Sequence, residues 1–594
     1  MRSLRPLLSR RRGGHVLAAV VAIVLAAVII YPIYQAIRQA FTANGSWGLA
    51  NVRTFLDAPG LGKMFENTAI LTVGGTVLAM IFGTALAITT TVLPSRRRSR
   101  WLLQLAPMIP LTLPALVGAI GWLFLLEPRV GWLNIFLRWV TRDSSGTGPI
   151  SAYSLPVSIW VVGLYAVPFV YTIMASSLSR LNTELLEGYQ VNGASPAGAM
   201  VRAILGPLRP AFFAALSLAL MDSVAQFSIP LILNQNVLTT YMYDQISFNG
   251  DYGLAAVAGL PLFVLAVILT YTQTRFTAKS NRYTTVTGRG TGVRGMSFGR
   301  LTDACFKGFA YLYMLLGGVL PIAAIVVVSF IKFWTPHLTA SSFTTGNFAT
   351  VWNNPISHTG AVNSFELGIF CTLIAIGVAL LVVVLAGRVG GWSARAAYFF
   401  ANLPFGIPPV LLGVAFLVAF ISKPLALYGT IWLLMLAFVV AFLPIAVRNI
   451  GALFQQVSHD LEEAALVSGA SGLRTLRKVT IPLVMPGVAA SAALLFMLIF
   501  REFPIAVFLS TPTTNVLSVV LVGYNTEGAW PDVAVVAVFL SAVSLIGIIA
   551  ANVITARFDL TRRRRRGSAA LAAGDLTGQP AQVPVPVSAS NTDM

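Results

Sequence analysis

The sequence predicts an all-α polytopic membrane protein, with twelve transmembrane helices arranged as two tandem six-helix halves. Three observations lead there. Charged residues make up only 10% of the 594, hydrophobic ones make up 56%, and mean hydropathy is +0.79. Soluble proteins have about 25% charged residues, so this chain has too little charge to cover several globular domains. Apolar runs of about 20 residues, the length that crosses a bilayer, recur twelve times. Finally, an ordered series of residues in the first half returns in the second.

The first six runs are 16–36, 69–93, 102–126, 155–178, 211–233 and 253–273. The second six are 308–331, 364–386, 396–421, 428–447, 487–510 and 532–555. Placing alternate loops on alternate sides puts 31 basic residues on one side and 8 on the other, with Arg501 inside a run. The rich side holds Arg2, Arg5, Arg10, Arg11, Arg12, the Arg96–Arg98 and Arg100 loop, the 274–307 loop, Arg388, Arg395, the 448–486 loop and Arg562–Arg566. Basic residues mark the cytoplasmic side, so both termini are expected there, in a plasma (inner) membrane.

The net charge of +20 could suggest nucleic acid. However, the basic residues are spread over seven segments without interleaved aromatics or a reader motif, which excludes that class. The Arg-rich start and apolar core resemble a signal peptide, but no good small-x-small cleavage site follows, so an uncleaved first span is expected. Cys305 and Cys371 form no disulfide framework, and His15, His337, His358 and His459 lie in loops or at span ends, so no metal or haem site is expected. No G-x-x-x-x-G-K-[ST] phosphate loop is present. The domain reading is a cytoplasmic N-terminus at 1–15, a first unit at 16–273, a linker at 274–307, a second unit at 308–557, and a basic then disordered tail at 558–594.

The duplication appears as paired residues. Asn51 and Asn347 are 296 apart, as are Asn67-Thr68 and Asn363-Ser364. Pro110 and Pro114 return as Pro404 and Pro408, and Gly118 lies near the register of Gly413. Glu187, Gly193-Ala194-Ser195 and Pro210 return 276 later as Glu463, Gly469-Ala470-Ser471 and Pro486. The offset falls because the first half has a longer external loop, roughly 127–154. Six spans per half give both copies the same orientation, so a pseudo-two-fold axis along the membrane normal is expected, with one path between the halves. The four prolines break backbone hydrogen bonds at membrane depth, which is tolerated in a cavity lining or inside protein.

Residues 460–471 read as helix, turn and helix. Asp460, Glu462 and Glu463 favour a helix start, while Leu461, Ala464, Ala465 and Ser468 share one face. Gly469 suits a left-handed cap, and Ser471, like Ser195 before Pro196, suits an N-cap. A short helix with a small-residue face fits a groove on a partner.

The run Glu463-Ala464-Ala465 to Gly469, continuing to Val479-Thr480-Ile481-Pro482, resembles the E-A-A-x3-G-x9-I-x-L-P loop of binding-protein-dependent ABC importer permeases. The first copy is degenerate, with Glu187-Gly188-Tyr189, then Gly193, and Ile204-Leu205-Gly206-Pro207 placing the proline one residue late. The resemblance spans roughly 15–557 and implies two type I importer-like permease halves. It further implies a transport subunit that is not itself an enzyme, with no cofactor of its own. ATP and Mg would sit on two copies of a separate cytoplasmic ATPase subunit, and an external solute-binding protein would deliver the substrate. Glu187 and Gly193, with Glu463, Ala464, Ala465 and Gly469, would be the ATPase-docking positions.

Ionisable residues are rare within the spans, and each is expected to face the interior or a partner. Asp222, Gln226, Arg501 and Glu502 are the candidate pathway residues, together with Pro110, Pro114, Pro404 and Pro408. A static ion pair orienting two helices is the alternative for the charged ones. Arg501-Glu502-Phe503-Pro504 resembles a stretch of fused ferric-iron-type permeases, which leans the substrate toward ferric iron. Thiamine, polyamine and phosphonate importers have similar helices and stay open. An ion-coupled secondary transporter would also explain twelve spans and buried charges, but it leaves the paired Glu–Gly loops without a task.

Overall fold

The computed structural model describes residues 12–577, apart from 44, 95–101, 145, 182, 281–295 and 424. The basic clusters at 2–11 and 96–100, the middle of the linker and residues 578–594 therefore lie outside the described residues. In the first half, the helices include α1 (Arg12–Ala40), α2 (Leu61–Thr91), α3 (Ala115–Leu126), α4 (Trp132–Thr141), α5 (Leu155–Leu178), α6 (Thr183–Val191), α7 (Pro196–Leu205), α8 (Arg209–Val224), α9 (Ser228–Ile232), α10 (Leu238–Ser247) and α11 (Tyr252–Ser280). The second half has α12 (Arg300–Met314), α13 (Leu320–Ser329), α14 (Pro355–Val384), α15 (Gly391–Asn402), α16 (Pro409–Phe420), α17 (Ile431–Gln455), α18 (His459–Val467), α19 (Ile481–Phe500), α20 (Ala506–Leu509), α21 (Leu517–Glu527) and α22 (Trp530–Thr577). Among the described residues the strands are two-residue pieces, Thr42–Ala43 and Ser46–Trp47, paired antiparallel.

Among the described residues, ten segments are long and apolar enough to cross a membrane, and the bent pair Gly391–Gly406 and Pro409–Phe420 makes eleven. The twelfth expected position, 102–126, is a broken stretch that ends in the short apolar α3. Both irregular spans break at the paired prolines. Leu113 and Ile407 are extended, and Pro114 and Pro408 then open α3 and α16. A residue before proline is pushed out of the helical region, and proline itself donates no N–H. The second-half pair turns through 110° there. All four prolines are buried.

Two further spans depart from the continuous helices expected at 211–233 and 487–510. α8 stops at Val224 and α19 at Phe500, with short α9 and α20 following after a break. Gln226, Arg501 and Glu502 thus sit in non-helical backbone, not within a helix, where unpaired N–H groups need polar partners. At the chain's end, α22 continues through the Ala- and Leu-rich segment to Thr577 in place of the unstructured tail expected from 567, because both residues favour helix.

Each half's first span lies against the other half. α1 packs on α15 and α16, with Tyr31 and Phe420 edge to face at 5.8 Å. Reciprocally, α13 packs on α3, and a Cβ at Gly121 would come within 2.7 Å of Pro321. The Tyr313 hydroxyl of α12 donates to the Leu164 carbonyl of α5 at 3.2 Å. Large apolar side chains stay exposed on the outer faces of the spans, such as Ile23, Leu373 and Ile546. Lipid is the solvent that suits them.

The repeated residues form repeated bonds. Asn51 Nδ2 donates to the carbonyls of Gln39 and Thr42, both at 3.1 Å, and Asn347 Nδ2 to those of Ser329 and Ile331 at 3.0 and 2.8 Å. Asn67 reaches the Asn236 carbonyl at 3.0 Å, and Asn363 the Asn515 carbonyl at 2.8 Å. Thr68 and Ser364 hydroxyls accept the N–H groups of Leu238 and Leu517 at 3.0 and 2.9 Å. Each Asn/hydroxyl pair therefore clamps the Asn-Val-Leu segment that follows the broken span of its own half.

Candidate functional site

Two loops, joining α5 to α8 and α17 to α19, close one end of the bundle with the same backbone. α6 ends at Gly193, whose φ is +83°, and α18 ends at Gly469, whose φ is also +83°. Gly193 N–H donates to Gln190 at 2.9 Å, and Ala194 N–H to Tyr189 at 3.0 Å. The corresponding bonds, Gly469 to Leu466 and Ala470 to Ala465, are both 3.0 Å. This pair of bonds is the Schellman cap, which satisfies the last carbonyls of a helix and favours glycine at the left-handed position. Ser195 then accepts the Gly198 N–H at 3.1 Å, and Ser471 the Arg474 N–H at 3.4 Å. The expected helix, turn and helix is present in both copies, including the one where Gly188 and Tyr189 replace the alanines.

Glu187, Gly193, Glu463, Ala464 and Gly469 are exposed, and Ala465 is half-buried. Val191 and Val467, also 276 apart, end their helices 88% and 89% exposed. The two loops thus present the same exposed apolar side chain at the same point.

The loops differ in how they are tied down. In the second, Glu462 forms an ion pair with Arg388, the last turn before α15, and accepts from the Thr480 hydroxyl at 2.6 Å. Arg388 also donates to Thr480 at 3.1 Å. The first copy has Leu186 at the position of Glu462, and it is 1% exposed. One loop is thus anchored by a polar triad and the other by an apolar plug. Spacing drew attention to Glu463, while Glu462 makes the internal contact; the only sequence signal for it is an acid beside the motif and a lone Arg388 far away.

The broken spans meet between the halves. Phe227 and Phe503, equivalent at the 276 offset, stack with ring centroids 5.5 Å apart and planes 7° from parallel. Phe508 lies 6.0 Å from Phe227, and Tyr243 5.8 Å from it. Both stacked rings are fully buried. Asp222 and Gln226, a helical turn apart, are half-buried and joined by a 3.3 Å hydrogen bond. Glu502 is 7% exposed, and its carboxylate accepts the N–H groups of Ile505 and Ala506 at 2.9 and 3.1 Å. It therefore caps α20, a charged acceptor on orphan donors at a helix start. Arg501 is half-buried beside Glu502. The carbonyls of Gln226 and Glu502 each accept a hydroxyl, from Thr239 at 3.0 Å and from Ser518.

Gly118 and Gly413 are both tightly covered, and Gly413 lies against Ile505 and Phe508 beside the second break. A Cβ on Gly118 would come within 1.6 Å of the Tyr165 hydroxyl, and one on Gly413 within 2.9 Å of the Phe508 ring. The structure thus brings Gln226, Arg501 and Glu502 to one level with the stacked rings. The proline breaks are separate features, in the third and ninth spans. The Phe227 and Phe503 pair escaped the sequence reading, although the same 276 offset connects it.

Comparison with known proteins fits this arrangement. The family described as binding-protein-dependent transport system inner membrane component matches twice, over residues 75–281 and 379–560. A probable ABC transporter permease of Sinorhizobium fredii is 25% identical over 91% of this chain and 96% of the relative. An Fe(3+)-transport system permease of Haemophilus influenzae is 24% identical over 81% of this chain and 88% of its own. A putative 2-aminoethylphosphonate transport system permease of Salmonella typhi is 28% identical, covering 38% of this chain and 86% of its own. A solved bacterial ABC transporter involved in the import of the acidic polysaccharide alginate aligns with a TM-score of 0.37 at 18% identity, covering 43% of this chain and 95% of that chain. With two copies of the family's domain in one polytopic chain, this protein belongs to the binding-protein-dependent ABC importer permeases of the inner membrane.

Proposed function

We propose that the chain is the complete transmembrane path of an ATP-driven importer, with both termini in the cytoplasm. Its α6 and α18 loops each dock one ATPase subunit. The observation behind this reading is the matched pair of capped loops, each with glycine at φ +83° and an exposed valine and glutamate at its tip. ATP and Mg belong to the ATPase pair, and an external binding protein delivers the solute. Closure of the ATPases draws the loops together and rocks the halves about the pseudo-two-fold axis. The Phe227–Phe503 stack, one ring from each half, closes the path in the state described, and separation of the halves opens it. Asp222, Gln226 and Arg501 line the path beside that closure, while Glu502 holds the shape of the break.

Ferric iron is the preferred solute class. Support comes from Arg501-Glu502-Phe503-Pro504 and from similarity to ferric-transport permeases over 81–84% of this chain. The 2-aminoethylphosphonate relatives match only 38% of the chain.

Site-directed crosslinking tests the docking assignment. Val191→Cys and Val467→Cys should each crosslink to a co-expressed ATPase subunit, whereas Ala340→Cys, on an exposed turn at the opposite end, should not. Crosslinking from 340 and none from 191 or 467 would reverse the orientation and remove the docking assignment.

A further inference from the structure

We infer that α4, the amphipathic helix in the 127–154 loop, is a membrane-interface anchor that lies in the phospholipid headgroup layer at the end opposite the docking loops. The helix belongs to the first half alone, since the second half passes from α16 to α17 by a short connection. It is attached at the level where the spans end. Asn134 Nδ2 donates to the carbonyls of Leu126, Glu127 and Ile150 at 2.8, 3.2 and 2.6 Å, which pins α4 to the last turn of α3 and to the approach to α5. Trp132 Nε1 reaches the Thr335 carbonyl of the second half at 3.3 Å. A ten-residue helix fixed there is about 15 Å long, short enough to rest on one leaflet.

Its opposite face is left exposed among the described residues. Phe136, Trp139 and Val140, at i, i+3 and i+4, share that face, and Trp139 is 76% exposed. Arg138 and Arg142 lie along one edge of it, Arg138 Nη2 donating to the Arg129 carbonyl at 3.3 Å, and with Ile135, Trp139 and Asp143 they line an open cavity of about 810 Å³. Apolar and aromatic side chains bordered by arginines are the composition of a helix that lies in the interface, with rings in the acyl boundary and guanidinium groups at phosphates. Trp139 is also not isolated. Trp47, Trp352 and Trp432 are exposed at the same end of the spans, forming the aromatic girdle expected at a membrane boundary, and Trp392 is exposed at the other end. The face of α4 continues that girdle, so lipid is the occupant. The inference requires only that the chain crosses a membrane, and it stands whatever solute the path carries.

The test uses the full chain in lipid nanodiscs, with Cys305→Ser and Cys371→Ser as background. Trp139→Cys and Phe136→Cys are each labelled with an environment-sensitive fluorophore, and Val191→Cys on the docking loop is the aqueous reference. Expected for positions 136 and 139 is blue-shifted emission, loss of signal with nitroxide-labelled phosphatidylcholine, and little response to iodide. Position 191 should show the reverse. Exchanging phosphatidylcholine for phosphatidylglycerol should deepen the shift at 139, and Arg138→Glu with Arg142→Glu should abolish that gain. If 136 and 139 respond like 191, the helix stands in water and the inference fails. It fails equally if their shielding needs a second copy in the disc or an added soluble protein.

Discussion

Replacing Gly469 separates backbone strain from steric clash in the capped loop that it ends. An added Cβ would meet nothing within 4 Å, so crowding contributes nothing to the cost. What remains is φ of +83°, a conformation that L residues other than glycine adopt at a cost of roughly 1–2 kcal/mol. Asparagine visits this region more readily than alanine, and β-branched valine least of all. Coupling should therefore fall in the order Gly, Asn, Ala, Val. A penalty of about 1–2 kcal/mol reduces the population of the correctly capped loop relative to a frayed one by about 5- to 30-fold. The loop is exposed and its helices are short, so the melting temperature of the whole protein should hardly move. The assay is solute transported per ATP hydrolysed, in proteoliposomes that contain the chain and its ATPase partner. Gly193 has the same φ and the same empty surroundings, so its series should follow the same order. Unchanged coupling in Gly469→Val would refute the cap's role in transmission. Asparagine as harmful as valine would refute strain as its cause.

Other changes test other parts of the structure. Phe503→Leu keeps the site apolar but removes the ring stack, worth roughly 0.5–1.5 kcal/mol beyond burial, and should raise ATP-independent leak of small solutes; Phe227→Leu should match it, and no leak in the double variant would exclude the stack as the closure. Glu462→Gln breaks the ion pair with Arg388, and Glu462→Leu with Arg388→Met imitates the first loop's apolar anchor. The single change should weaken coupling, the double change should restore part of it, and a double variant worse than either single would argue against that reading. Asn363→Ala leaves the Asn515 carbonyl without its donor and should lower the melting temperature by the equivalent of roughly 1 kcal/mol, as should Asn67→Ala at the matching site.

Hydropathy and repetition made the span order and both capped loops legible, because lipid exposure and helix caps are local consequences of residue type. The proline breaks were legible for the same reason, since Pro114 and Pro408 act on the residue before them. The breaks after Val224 and Phe500 were not. Apolar residues continue through both, and hydropathy cannot show where backbone leaves the helix. The matched Gln226 and Glu502 were the available hint. Glu462 was overshadowed by Glu463, as its partners Arg388 and Thr480 come from other spans and pair only in the folded chain. The exchange of first spans between halves has no local signature, because α1 is apolar all round and would suit either half. The amphipathic α4 is legible in the spacing of Phe136, Trp139 and Val140, although span counting assigns it only to loop length.

The central claim is that transport through this chain is driven by ATP on a docked partner. Purified protein in proteoliposomes, with and without its co-expressed ATPase and external binding protein, tests that claim most directly. The expected result is no ATP hydrolysis and no solute accumulation from the chain alone, with both appearing when the partners and ATP are supplied. Accumulation by the chain alone, driven by an imposed ion gradient and indifferent to ATP, would contradict it.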